Sequence, residues 1–168
     1  MRELIFDITE LMASANGRLK YYGIARVVFE IGAELHKLDI GVRFAVYSAS
    51  HKEFFEFTPN LDESSDYGVN FNIPNSLRQT RIRRMFYTRN KFRDLLAPLA
   101  TRIIDRKNRR IWRESNAPSA PMDISNSIIV MAGRPKLMVD AIKTVKERGD
   151  DVLFVPLLHD VFSLHLSD

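Results

Sequence analysis

The sequence predicts an α/β fold, a mostly parallel sheet with helices on both faces. Three observations predict it. Two strand–helix–strand runs bracket the chain, at residues 3–48 and 127–158. Their strands, at 127–131 (SIIVM) and 152–158 (VLFVPLL), are continuous apolar runs, as parallel strands covered on both faces are. The segments between strands carry apolar residues at helical spacing.

The first run begins with residues 3–8, apolar enough for a buried strand, followed by a polar loop over 9–22 that holds Gly17. Gly23 opens a helix whose Ile24, Val27, Val28, Ile31, Leu35 and Leu38 form one apolar face, ending near Lys37. Asp39-Ile40-Gly41 reads as the turn into a strand at 42–48, with Val42, Phe44 and Val46 on one face. Such a unit closes by a right-handed crossover. Residues 52–58 read as a weaker, aromatic-rich strand or helix start, and 59–74 as a loop holding Asp62, Glu63 and Asp66.

The middle of the chain is basic. Residues 76–116 hold 13 Lys and Arg against 3 acids, a net +10 inside a 168-residue chain of net +4, which leaves −6 for the rest. Ile82, Met85, Phe86, Phe92, Leu95, Leu96, Leu99 and Ile103 make a near-helical apolar stripe there. Pro98 predicts a kink or a division into two helices, because proline removes a donor and clashes with the preceding turn. Arg102, Arg106, Arg109, Arg110 and Arg113 share one helical face, accompanied by Phe86, Tyr87, Phe92 and Trp112. A basic amphipathic helix lies on an anionic membrane, grips nucleic-acid phosphates, or is simply a solvated face. No aromatic RNA-binding signature accompanies the charge, which ranks membrane above nucleic acid. After a loop at 116–121 (NAPSAP), Pro135 starts a helix with Leu137, Met138, Ala141, Ile142 and Val145 inward, and Gly149 ends it.

Composition excludes several chemistries. With no cysteine there is no disulfide, Fe–S cluster, thiolate zinc site or cysteine nucleophile. The N-terminus is no signal peptide, and no run approaches the about 18 apolar residues of a membrane span. His36, His51 and His165 show no metal-ligand spacing, and the chain has no GxGxxG, P-loop or GxSxG motif. No cofactor and no metal are expected.

The candidate site residues lie at strand ends. Gly23 and Arg26 open a helix, whose free N–H groups suit phosphate or carboxylate; alternatively Gly23 only starts the helix and Arg26 pairs with Glu30. His159 and Asp160 follow the last strand, where ligands bind in open α/β sheets; alternatively they are a satisfied histidine and a cap. Asp7 and Thr9 share that edge, with a loop-anchoring hydrogen bond the simpler reading.

These pieces resemble a known family. The opening LIFDITELMASANGRLKYYGIARVVFEIGAELHK looks like the start of bacterial family 4 glycosyltransferases, retaining enzymes of two Rossmann-like domains (the GT-B fold). Their TGI-x-R helix start corresponds to Tyr22-Gly23-Ile24-Ala25-Arg26, with tyrosine in place of threonine. The closing VLFVPLLHDVFSLH is similar to their HD strand end, over residues 155–164. The basic middle, 59–121, resembles the family poorly. The resemblance implies one acceptor-type Rossmann-like domain over 1–168, with a basic helical insertion around 76–116 and the donor-binding domain absent from this chain. It implies transfer of a sugar from a nucleotide-sugar to a glycan or lipid-linked acceptor. Gly23, supported by Arg26, then lies against the donor diphosphate, and His159, supported by Asp160, near the transferred sugar. The family's E-x7-E motif is missing, since no two glutamates stand eight positions apart. Catalysis would therefore need the other half. A cytoplasmic protein, peripheral at the inner membrane through the five arginines, is the expected setting. The competing readings are a nucleic-acid-binding module using those arginines and a non-catalytic interaction module.

Overall fold

The computed structural model describes residues 2–14, 23–65, 67–77 and 91–157. Along the chain run β1 (Glu3–Asp7), α1 (Thr9–Ser14), α2 (Ile24–Lys37), β2 (Arg43–Ser48), β3 (Glu53–Glu56), β4 (Asn60–Leu61), β5 (Val69–Asn70), α3 (Lys91–Glu114), β6 (Ser127–Met131), α4 (Pro135–Arg148) and β7 (Val152–Pro156). The fold is α/β. Five strands form one sheet in the order β3-β2-β1-β6-β7, parallel except for the antiparallel β2–β3 hairpin.

Alternation along each strand sends side chains to two cores. Phe6, Phe44, Val46 and Phe55 face α1 and α2, where Leu11, Met12, Val28, Phe29 and Ala33 meet them. Ile5, Ala45, Tyr47, Phe54, Ile129 and Met131 face the other way, toward Met138, Ala141 and Val145 of α4. Helices therefore cover both faces, as in a Rossmann-like sheet. Gly149 ends α4 with φ 77°, the left-handed cap that its place after the helical run predicts.

Several expectations are corrected. The first six residues of the expected loop at 9–22 are helix α1, anchored by Ile8, Leu11 and Met12 in the core. The segment at 59–74 is not all loop: β4 and β5 pair, and Val69 and Phe71 are buried. Asp62 builds the turn between them by accepting from the Ser64 N–H at 3.0 Å. Of the two readings of 52–58, the strand is the one found, as β3 over Glu53–Glu56. The buried line of α2 is Ala25, Val28, Phe29, Gly32 and Ala33, one step round the helix from the expected face, and Leu38 is exposed. The shift follows from Gly32, which lets the helix axis approach Phe6 and Phe71. Helix α3 is one 24-residue element through Pro98, so of the two expected outcomes the division into two helices does not occur. Strand β7, expected to be covered on both faces, is an edge strand with Leu153 and Val155 exposed.

Candidate functional site at the carboxyl edge of the sheet

Helices α2 and α4 leave the neighbouring strands β1 and β6 toward opposite faces of the sheet. The carboxyl ends of β1 and β6 are therefore the switch point at which open α/β sheets hold ligands. Asp7 ends β1 there. Its Oδ1 accepts from the Thr9 N–H at 2.9 Å and from the Thr9 hydroxyl, and the Thr9 oxygen accepts from the Tyr47 N–H at 2.7 Å. Both side chains are buried. The simpler of the two sequence readings describes them: they pin the β1 loop to β2.

Glu10 is the residue that sequence reasoning missed. It lies in α1 with 3% of its surface exposed. Its Oε2 accepts from the Arg134 backbone N–H at 3.1 Å and from Arg134 Nε at 3.0 Å, with Oε1 2.9 Å from the same Nε. Arg134 is the N-cap residue of α4. The carboxylate thus sits at the positive end of that helix, where a negative charge is favoured. The two residues stand 124 positions apart, so no local spacing signals the pair.

Gly23 is the N-cap of α2 with φ 55° and ψ −129°, a conformation open to glycine and strained for other residues. Among the described residues, and leaving aside its chain neighbours, no atom lies within 4 Å of where its Cβ would be. The glycine requirement therefore comes from the backbone conformation and not from a described neighbour. Among the described residues no side chain caps α2. Arg26 donates from Nε to Glu30 Oε1 at 2.8 Å, one turn on, and the Tyr67 hydroxyl donates to the same oxygen at 3.0 Å. These bonds raise the Arg26 guanidinium and lower the Glu30 carboxyl from their ordinary pKa values. His159 and Asp160 lie outside the described residues.

A second polar cluster closes the turn after β2. His51 Nδ1 is 2.8 Å from Ser48 Oγ, and the imidazole packs edge-on against Phe55 and Trp112. Burial, then the nearby Arg109 cation, push its pKa below the usual histidine value, against the weaker pull of Asp105. Among the described residues, no three His, Asp or Glu side chains group to hold a metal.

No family model, curated protein or solved structure matches the chain.

The basic segment divides in two. Trp112, expected to accompany the arginines, is buried on Phe55 and Phe57 and donates from its indole N–H to the Pro118 carbonyl at 2.8 Å. It is a core residue because an indole offers its ring to other aromatics and its N–H to one carbonyl. Arg109 donates to the Ser50 carbonyl at 2.9 Å, which ties α3 to the β2–β3 turn. Arg110 pairs with Glu114 at 2.6 Å. Arg102, Arg106 and Arg113 are exposed. Leu99 and Ile103, members of the expected apolar stripe, are 58% and 60% exposed. Phe86 and Tyr87 lie outside the described residues, as does the Phe92 side chain. No described helix is long and apolar enough to cross a membrane.

Proposed function

We propose that this chain is the acceptor-binding side of a retaining, nucleotide-sugar-dependent glycosyltransferase of the GT-B type, with the donor half supplied by a second domain. One observation carries the reading. Gly23 opens α2 in a conformation that favours glycine, with no described side chain packed on it, at the position where the motif resemblance sets a donor diphosphate. The free N–H groups of that helix start suit the diphosphate, with Arg26 beside it. His159, with Asp160, is assigned to the transferred sugar. Loss of the nucleoside diphosphate leaves an oxocarbenium-like sugar, and fixed dipoles and cations stabilise the departing phosphate charge. Much of that stabilisation belongs to the second domain.

The test uses the native protein, isolated through a tag on this chain and supplied with labelled UDP- and GDP-hexoses and a membrane lipid extract. Labelled product is expected. His159→Ala and Gly23→Val are each expected to lower the rate by about 100-fold or more; far-UV circular dichroism, unchanged in the first, reports how far the strained valine perturbs the helix start in the second. Absence of transfer from every donor, or equal rates in the variants, overturns the proposal. One observation favours the non-catalytic reading instead: the Glu10 carboxylate and Arg134 occupy the β1–β6 switch point as a satisfied pair. Native protein that neither binds nor transfers from any nucleotide-sugar would decide for that reading.

A further inference from the structure

Helix α3 turns its buried side chains, Asn108, Trp112 and Ser115, toward the body. At 3.6 residues per turn, Leu99, Arg102, Ile103, Arg106, Arg110 and Arg113 fall within one arc of about 100° on the opposite side. The strip is about 20 Å long. Its one acid, Glu114 at the margin, is bound to Arg110, and no described acid pairs with Arg102, Arg106 or Arg113. Two large aliphatic side chains stand among these cations, each more than half exposed. Single exposed aliphatics are ordinary on a solvated face, but two stacked one turn apart among cations form a patch, and single-strand phosphate-gripping faces interleave their cations with aromatics. Cations flanking aliphatics on one helical face match a bilayer surface, with phosphates outside and acyl chains just beneath.

We propose that the outer face of α3 docks the protein on bilayers containing anionic phospholipid, with Leu99 and Ile103 entering the headgroup–acyl boundary and the arginines meeting the phosphates. The surface stands on the helix alone and does not depend on sugar transfer.

Vesicle co-sedimentation tests it, using phosphatidylcholine with and without phosphatidylglycerol, at low and molar salt. Binding is expected to the anionic vesicles only, and to weaken with salt as the Debye length shrinks. The triple variant Arg102→Gln, Arg106→Gln, Arg113→Gln is expected to lose on the order of 100-fold in partitioning. The double variant Leu99→Ser, Ile103→Ser is expected to lose about 10-fold and to leave only salt-sensitive binding. All five positions are exposed, so an unchanged melting temperature confirms that the variants fold. Equal binding to neutral vesicles, or full binding by either variant, overturns the proposal. So does retention of duplex DNA or RNA, unaffected by the Leu99 and Ile103 changes, in a protein that leaves vesicles in the supernatant; that outcome assigns the face to nucleic acid.

Discussion

A methyl group added at Gly32 would lie 2.8 Å from Cζ of Phe71 and 3.4 Å from Cε1 of Phe6. Phe71 cannot swing aside, because Phe29 and Phe44 hold its ring at 5.3 and 5.4 Å between centroids. Gly32→Ala is therefore expected to destabilise the protein: overpacking costs about 1–3 kcal/mol, against about 1 kcal/mol gained from alanine's helix propensity. Urea unfolding measures the difference. His51 makes a prediction of different kind. Its folded pKa lies below the ordinary value near 6.5, so below about pH 6.5 the unfolded chain binds more protons than the folded one. Stability is expected to fall as pH drops through that window, and the loss is complete once pH is below the folded value. In His51→Phe this part of the pH dependence should vanish, leaving the carboxylate transitions at lower pH. One of those belongs to Glu56, whose pKa is lowered by Arg43 Nε and Nη2 at 3.0 and 2.7 Å. Its contribution is present above the unfolded glutamate pKa and is lost as pH falls through the lower, folded one.

Helix α3 is joined to the described body at few points. Trp112 fills a slot between His51, Phe55 and Phe57, and Arg109 reaches the Ser50 carbonyl. Trp112→Ala is expected to cost about 3–5 kcal/mol, the range for emptying a large core site. Hydrogen exchange should show protection lost first in 104–115, before β1 and β6, if the helix detaches as a unit. Elements of more than a dozen residues were legible in the sequence because periodicity accumulates with length: α2 and α4 appear where the apolar spacing puts them. The pairs at 60–61 and 69–70 were not, since a two-residue strand has no period to read. The outward turn of Leu99 and Ile103 was hidden for the opposite reason. Their spacing is helical, and spacing alone does not say which side of a helix faces the body.

At the scale of the molecule, the continuous apolar runs of the strands announce a sheet with two covered faces, but strand order and edges depend on contacts distant in sequence. The exposure of β7 follows from its place at the end of the order, which its apolar run does not encode. The candidate site divides the same way. Gly23 was legible because a glycine that opens a helix has a local cause. The Glu10–Arg134 pair was not, because it joins the two halves of the sheet. Glu10→Ala is expected to destabilise by about 1–3 kcal/mol, because it strips a buried acceptor from the start of α4, and guanidinium unfolding measures it. Glu10→Gln, which keeps an acceptor, should recover part of that loss.

Strand β1 lies at the centre of the sheet, and its two neighbours arrive at very different times during synthesis. Ile5 pairs with Arg43 on one side and with Ile129 on the other. As the chain leaves the ribosome, β1, β2 and β3 can assemble from the first third alone, while the second edge of β1 stays bare until β6 emerges. That edge, Leu-Ile-Phe, is the kind that pairs with any strand on offer. Closing the loop to β6 is slow for entropic reasons, so productive folding has to wait for it. Nascent chains stalled before residue 127 should be trapped by chaperones, and those stalled after β6 has cleared the exit tunnel should be released.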